Sequence, residues 1–230
     1  MTLHIDRWTL LAQHRQIAEA VLGTMLPTFG DIERKAQAFS TELESKDCSS
    51  DDPCHNEDEY RAEQIIFFED GLRSVEAEMA GMAVVALYHL WERSVKALIS
   101  RKCLPYRLGE VAKANFDKIK ALLDHSNLPE PCRGTLDAIN LGRLIANVIK
   151  HGEGNAADDL RKLEQKLFQR SWNDEWFDLP SNRDVTLIWP QPEHARTLAD
   201  AISTFWQTLP DNYFPTLQAP SLHLLTNEQS

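Results

Sequence analysis

The strongest constraint on the fold is an apolar stripe in a segment of helical periodicity that runs from Glu59 to Lys102. The second half of the segment carries large apolar residues at steps of three and four, which is the spacing of one helix face. Such a face must bury against other elements, so the segment predicts a long helix at the centre of a helical bundle. The alternative is two nearly collinear helices that meet at a weak point, Gly71 or Gly81. The stripe consists of Val84, Leu87, Tyr88, Trp91, Val95, Leu98 and Ile99.

Other segments with helical spacing surround this central one, and a single short strand is expected near the C-terminal end. The strand is predicted over Asp184–Trp189, because β-branched and aromatic residues cluster there before Pro190. One strand cannot form a sheet, so it would pair with an unrecognised partner, pair across a dimer, or lie extended on the bundle. The further helices are predicted over residues 6–26, 31–44, 108–125, 132–150, 156–170 and 193–209.

The chain is therefore expected to be all-α, an up-and-down helical bundle with a small C-terminal strand-plus-helix appendage. Residues 1–46 are assigned to N-terminal helices and residues 59–170 to the main bundle. Residues 171–230 are assigned to an aromatic loop around Trp172, Trp176 and Phe177, the short strand and a last helix packing on the bundle.

Composition and charge exclude several classes of protein. The longest run without a charged residue in the most apolar segment, Met79–Trp91, is too short to span a bilayer, so no membrane segment is expected. Asp6 and Arg7 interrupt any secretory signal at the start. A net charge of −11 disfavours nonspecific binding of nucleic acid, although Trp91–His125 is locally basic. The expected location is the cytoplasm.

Cysteine usage and glycine patterns give no cofactor or metal site. Four cysteines are too few for a disulfide scaffold in a chain of 230 residues. Cys48, Cys54 and His55 share an acidic loop, but their spacing matches no zinc finger and no fourth ligand is evident, so an exposed, reduced loop is expected. No phosphate-binding glycine loop, HExxH or GxSxG pattern occurs, and we expect neither a cofactor nor a metal.

The helix predicted over residues 132–150 carries an unusual polar stripe. On a helical projection Asn140, Arg143 and Asn147 fall within about 80° of His151. This stripe abuts the apolar face instead of opposing it, so its side chains should be half-buried and able to reach a ligand. The alternative is structural: His151 would interact with the last carbonyl groups of its helix, and Asn147 would bond a neighbouring helix.

The ending Asn147-Val-Ile-Lys-His-Gly152, preceded by the run Ala86-Leu-Tyr-His-Leu-Trp-Glu-Arg-Ser-Val-Lys-Ala-Leu98, resembles the HEPN superfamily of prokaryotic helical domains over residues 60–170. The resemblance implies a helical bundle that forms a homodimer. It also implies, for many members, a metal-independent ribonuclease of antiviral defence or toxin–antitoxin systems. The family motif is an arginine, a polar residue and, after four to six intervening residues, a histidine. His151 and Asn147 match this motif, but Ala146 occupies the arginine position.

Two functions follow from this resemblance. If Arg143 replaces the arginine from about 12 Å before His151 along the helix axis, the protein is an endoribonuclease. His151 would then act as general acid or base, Arg143 would hold the phosphate, and Asn147 would orient either group. Asn140 and Lys150 would contact the RNA substrate. If the site has decayed, the protein is a non-catalytic HEPN-like module that binds a protein partner. A third class, a nucleotide sensor that uses the same stripe, stays open.

Overall fold

A computed structural model describes residues 6–45, 57–102, 108–172, 175–178, 187–211 and 213. In the N-terminal part, α1 spans Arg7–Ala18 and continues through a π-helical segment, Glu19–Met25, before α2 at Ile32–Ser45. The Asp6 side chain accepts a hydrogen bond from the Thr9 amide at 2.8 Å and starts α1. The two N-terminal helices predicted from periodicity are therefore present. The predicted loop with Cys48, Cys54 and His55 lies outside the described residues.

The central helix, α3, is a single helix from Glu57 to Lys102. Its 46 residues extend for about 69 Å at the normal rise per residue. Neither Gly71 nor Gly81 interrupts it, because one helical glycine costs little beside the packing of a long helix. The first part of α3 pairs with α2 through stacked rings of Phe39 and Phe68, whose centroids lie 4.3 Å apart. The second part is the centre of the bundle.

Two predicted helices are each divided in the structure. The segment 108–125 forms α4, Leu108–Lys113, and α5, Phe116–His125, because the Asn115 side chain accepts from the Lys118 amide at 3.0 Å and starts a new helix. The segment 132–150 forms α6, Glu130–Arg133, and α7, Leu136–His151. The carbonyl of Cys132 accepts a hydrogen bond from the Thr135 hydroxyl at 2.7 Å at this second division.

The C-terminal part departs most from the prediction. After α8, Asn155–Leu163, and a 3-10 turn, Gln165–Phe168, two short strands form an antiparallel hairpin: β1, Gln169–Trp172, and β2, Glu175–Asp178. The backbone of the predicted aromatic loop is thus this hairpin. The strand predicted over Asp184–Trp189 is wrong at residues 187–189, which are irregular, and residues 184–186 are not described. The last helix, α9, spans Pro192–Thr208, close to its prediction.

The extended segment before α9 docks on the bundle without a strand partner among the described residues. Ile188 packs against the core, and the Trp189 amide donates to the Leu167 carbonyl at 2.7 Å. A single hydrogen bond of this kind anchors residues 187–189 but does not build a ladder, and Ile188 packs on the core of the bundle instead of in a sheet.

The prediction of an all-α helical bundle is confirmed in the described residues. α3, α7 and α9 pack on one another, and α1 covers α9. Trp91 and Val95 of the α3 stripe are buried, as its spacing predicted, whereas Leu98 is only half-buried. On α7, Ile145 and Val148 are buried and Leu141 is half-buried. No helix of the described residues is long and apolar enough to cross a membrane. The largest fully buried side chains are Trp91, Trp206, Phe205, Leu87, Ile99, Ile119, Leu122, Leu123, Leu136, Ile139 and Leu144.

Candidate functional site: the crossing of α3 and α7

The C-terminal end of α7 presents two of the predicted site residues to solvent. Lys150 and His151 are exposed in the last turn of the helix. Gly152 follows with a φ of 69°, a conformation that glycine adopts without strain, and its amide donates to the Val148 carbonyl at 2.8 Å. The chain therefore leaves the helix immediately after His151, and the imidazole is open to a ligand.

Arg143 is held within the bundle two turns earlier. Its Nε donates to Asn140 Oδ1 at 2.9 Å, and its guanidinium lies over the Phe116 ring at 5.4 Å from the centroid. The side chain is half-buried and close enough to Tyr88 to act on its ionisation. Burial raises the pKa of Tyr88, and the Glu92 carboxylate raises it further, while the positive charge of Arg143 opposes both effects. Arg143 is thus part of a packed polar cluster.

Ala146, the residue that the resemblance to HEPN proteins would align with the motif arginine, is inside the core. Ala146 has no exposed surface, and its neighbours Leu144, Ile145 and Val148 are also buried. Asn147 is half-buried and lies on α7 between Arg143 and Lys150. Four of the five predicted residues therefore form two groups on α7, Asn140 with Arg143 and Lys150 with His151, and Asn147 lies between the groups. The structure does not bring Arg143 and His151 together as a compact pair, since about 12 Å of helix separates them.

A polar chain on α3 meets the end of α7, and sequence reasoning did not single it out. Lys150 Nζ lies 3.4 Å from His89 Nε2, and His89 Nδ1 lies 3.3 Å from a Glu92 carboxylate oxygen. Glu92 also pairs with Lys96 at 3.0 Å. The neutral tautomer that satisfies both contacts carries its proton on Nδ1, so Nε2 accepts from the lysine. The signal was present as the spacing i, i+3 and i+7 of His89, Glu92 and Lys96.

The same crossing also exposes apolar side chains. Val75 and Met82 are seven residues apart on α3, so they share a helix face, and they are 38% and 56% exposed. Ile149 of α7 is 36% exposed and lies against Gly81, with its Cδ1 2.8 Å from where a glycine Cβ would stand. Ala86 continues the stripe one turn after Met82. We refer to Val75, Met82, Ala86 and Ile149 as the α3–α7 face.

Among the described residues, no group of three or more histidine, cysteine, aspartate or glutamate side chains could hold a metal ion.

The fold and the crossing of α3 and α7 define the class of molecule. It is a helical bundle with a mixed polar and apolar surface where two core helices meet. Comparison of the chain with protein-family models, with curated proteins and with solved structures gives no match.

Proposed function

We propose that the chain is a HEPN-like helical interaction module that has lost the ribonuclease arginine of that superfamily. The observation that carries this proposal is the complete burial of Ala146 at the position of the motif arginine. A guanidinium placed there would be a buried charge among apolar side chains, so the core around this position is built for a small apolar residue. The helix has been adapted to packing at the point where the family places its phosphate-binding group.

The second support is the environment of Arg143, the arginine closest in sequence before His151. Its Nε donates to Asn140 and its planar face lies over Phe116, so a phosphate could use Nε only by breaking the hydrogen bond to Asn140. The acidic net charge of −11 also disfavours RNA binding, because it repels the RNA backbone at long range. A binding role needs neither an arginine–histidine pair nor attraction to RNA.

The partner we propose for the module is a second copy of the chain, bound through the α3–α7 face. Val75, Met82, Ala86 and Ile149 form an exposed apolar stripe across two helices, and Lys150, His89 and Glu92 border it with polar groups. An apolar centre with a polar rim is the usual arrangement of a protein interface. A two-fold axis through this face would place the same apolar residues of both copies against one another.

A second candidate function, a metal-independent endoribonuclease, is favoured by a different observation. His151 is exposed beside Lys150, and Lys150 contacts the His89–Glu92 pair. Two histidines and a lysine could act as general acid, general base and phosphate ligand in cleavage at a ribose 2′-hydroxyl. In this alternative the work of the missing arginine would fall to Lys150 instead of Arg143.

The deciding experiment is incubation of the purified protein with labelled RNA in the presence of a chelator. The interaction-module proposal expects no cleavage above the blank without protein, and the same result for His151→Ala and His89→Ala. Cleavage by the wild-type chain that is lost in His151→Ala would overturn the proposal in favour of the nuclease. Arg143→Ala then shows whether Arg143 contributes to cleavage. The matched control is Arg196→Ala, at an exposed arginine of α9.

A further inference from the structure

A separate cleft of about 340 Å³ lies between three elements that are distant in sequence. One wall is formed by α3, the second by the 3-10 turn and the start of β1, and the third by the segment that leads into α9. This volume is within the range of small-molecule pockets in proteins. The lining of the cleft includes Arg73 and Glu76 of α3 together with Glu164, Lys166, Trp189 and His194.

The inner part of the cleft is apolar and held in place. Ala77 and Leu167 are buried, with 4% and 2% of their surface exposed, and the half-buried Trp189 contributes an aromatic side chain. The hydrogen bond from the Trp189 amide to the Leu167 carbonyl ties two of the walls together. A pocket with an apolar floor and an aromatic wall, fixed by the backbone, can accept a hydrocarbon or aromatic group without reorganising.

Opposite charges line this cleft without pairing to each other. Glu76 and Glu164 are half-buried and Lys166 is exposed, and none of the three has a hydrogen bond or ion pair of its side chain with a described residue. Arg73 differs, because its guanidinium is engaged by Glu69 at 2.6 Å. Two carboxylates and one ammonium group are therefore available to a ligand in one small space.

His194 adds a directed hydrogen-bond donor to the lining. Its Nδ1 accepts a hydrogen bond from the Gln191 amide at 3.0 Å, as part of the capping box that starts α9. The same Nδ1 also lies 3.2 Å from the Gln191 carbonyl oxygen, and in the tautomer that accepts from the amide the neutral ring carries its proton on Nε2. The ring is held by this cap, so its second nitrogen is a positioned donor for an anionic group.

We propose that this cleft binds a small zwitterion of the amino-acid class with an aromatic or other apolar side chain. The ammonium group of the ligand would bind Glu76 or Glu164, its carboxylate would bind Lys166 and His194, and its side chain would lie against Trp189. A volume of about 340 Å³ is at the lower end of the range for ligand pockets, which suits a small ligand. A metal ion does not fit the acidic groups, since no three ligating side chains of the described residues converge.

This inference is independent of the proposed interaction role, because the cleft contains none of the residues of the α3–α7 face. The test is isothermal titration calorimetry with three ligands that share one ring: L-phenylalanine, phenethylamine without the carboxylate, and 3-phenylpropionate without the ammonium group. L-phenylalanine is expected to bind at least about tenfold more tightly than either analogue, because each lost charge removes a charge-assisted hydrogen bond.

Charge-neutral variants assign the ends of the ligand. Glu76→Gln and Glu164→Gln together should weaken L-phenylalanine and phenethylamine about tenfold or more and leave 3-phenylpropionate unchanged. Lys166→Gln should weaken L-phenylalanine and 3-phenylpropionate and leave phenethylamine unchanged. Exposed Glu19→Gln and Lys113→Gln, outside the cleft, are the matched controls. Circular dichroism checks that every variant is folded.

Three outcomes would overturn the proposal. The first is that none of the three ligands gives a binding isotherm at millimolar concentration. In the second, both analogues bind as tightly as L-phenylalanine, which would reduce the cleft to an apolar pocket. In the third, L-phenylalanine binds but the cleft variants bind it as the controls do, which would place the ligand elsewhere on the protein.

Discussion

Gly142 of α7 lies directly against Leu198 of α9, so closely that a Cβ atom at position 142 would stand 2.7 Å from Leu198 Cδ2. The Cγ atom of the same leucine would be at 3.3 Å, and Leu198 is 1% exposed. A buried leucine cannot turn away into solvent, so the absence of a side chain at position 142 sets how closely α7 and α9 approach.

The first prediction concerns this contact. Gly142→Ala should lower the free energy of unfolding by about 1–3 kcal/mol, because the added methyl group overpacks the core. The matched control is Gly71→Ala in α3, where no atom lies within 4 Å of the added Cβ. That variant should gain up to about 1 kcal/mol from helix propensity. Urea unfolding gives the free energy of unfolding of both variants. Equal changes in the same direction would contradict the close approach of Gly142 and Leu198.

The second prediction concerns the centre of the core. Trp91 has no exposed surface, and its ring lies 6.0 Å from Phe116 and 5.7 Å from Phe205 between centroids. Trp91→Ala should therefore cost about 3–5 kcal/mol of unfolding free energy. Trp8→Ala is the control, since Trp8 is 53% exposed and should cost less than about 1 kcal/mol. A thermal midpoint that is the same for Trp91→Ala and wild type would refute the packing.

The third prediction is a pH dependence of stability that originates at His14. This residue is 2% exposed, lies 5.9 Å from the Trp206 ring, and neither ring nitrogen has a hydrogen-bond partner among the described residues. Burial lowers the pKa of His14 from 6.5 to about 4. Between these values the unfolded chain binds the proton and the folded chain does not, so stability is lost as the pH falls from 6.5 to 4.

The free energy of unfolding should fall by about 3 kcal/mol, because each unit of difference between the two pKa values of His14 contributes about 1.4 kcal/mol. Carboxylates also titrate in this range, so the measurement is the difference between wild type and His14→Phe in urea unfolding at pH 4.5 and pH 7. The variant should lose less stability on acidification and should not be destabilised at pH 7, because it removes two unsatisfied buried nitrogen atoms. Parallel pH profiles for the two proteins would exclude His14 as the source.

The fourth prediction tests the proposed homodimer. Met82→Glu and Ile149→Glu should each convert a dimeric protein to a monomer, because they place a charge in the apolar centre of the α3–α7 face. Leu163→Glu is the control, since Leu163 is 59% exposed on α8 and lies outside this face. Light scattering at several protein concentrations gives the mass. A monomeric wild type at the highest concentration would count against the interface.

Much of the local structure could be predicted from the sequence, because its determinants are local. The apolar spacing from Val84 to Ile99 placed the central helix, and Gly152 marked the end of α7. The division at Asn115 was missed although the residue type is a good helix start, because the apolar spacing continues across it. The β-branched and aromatic residues before Pro190 predicted a strand, but an extended segment that packs on helices can have the same composition.

The contacts of the candidate site could be predicted from the sequence only in part. The sequence predicted a half-buried polar stripe, which is right for Asn140, Arg143 and Asn147 and wrong for His151, which is exposed. It did not indicate that Lys150 meets His89, which is 61 positions away, or that Arg143 is held over Phe116. Those contacts depend on which helices pack together and in which rotation.

The sequence by itself determined which segments are helical, which face of each helix is apolar and where several helices end, because periodicity and capping act over a few residues. Only the tertiary structure decided that Gly142 lies against Leu198, that the buried His14 ring has no hydrogen-bond partner among the described residues, and that Glu76, Lys166 and His194 line one cleft. The physical reason is that burial and approach between distant residues depend on how whole helices pack, and a pattern along one helix does not specify its neighbour.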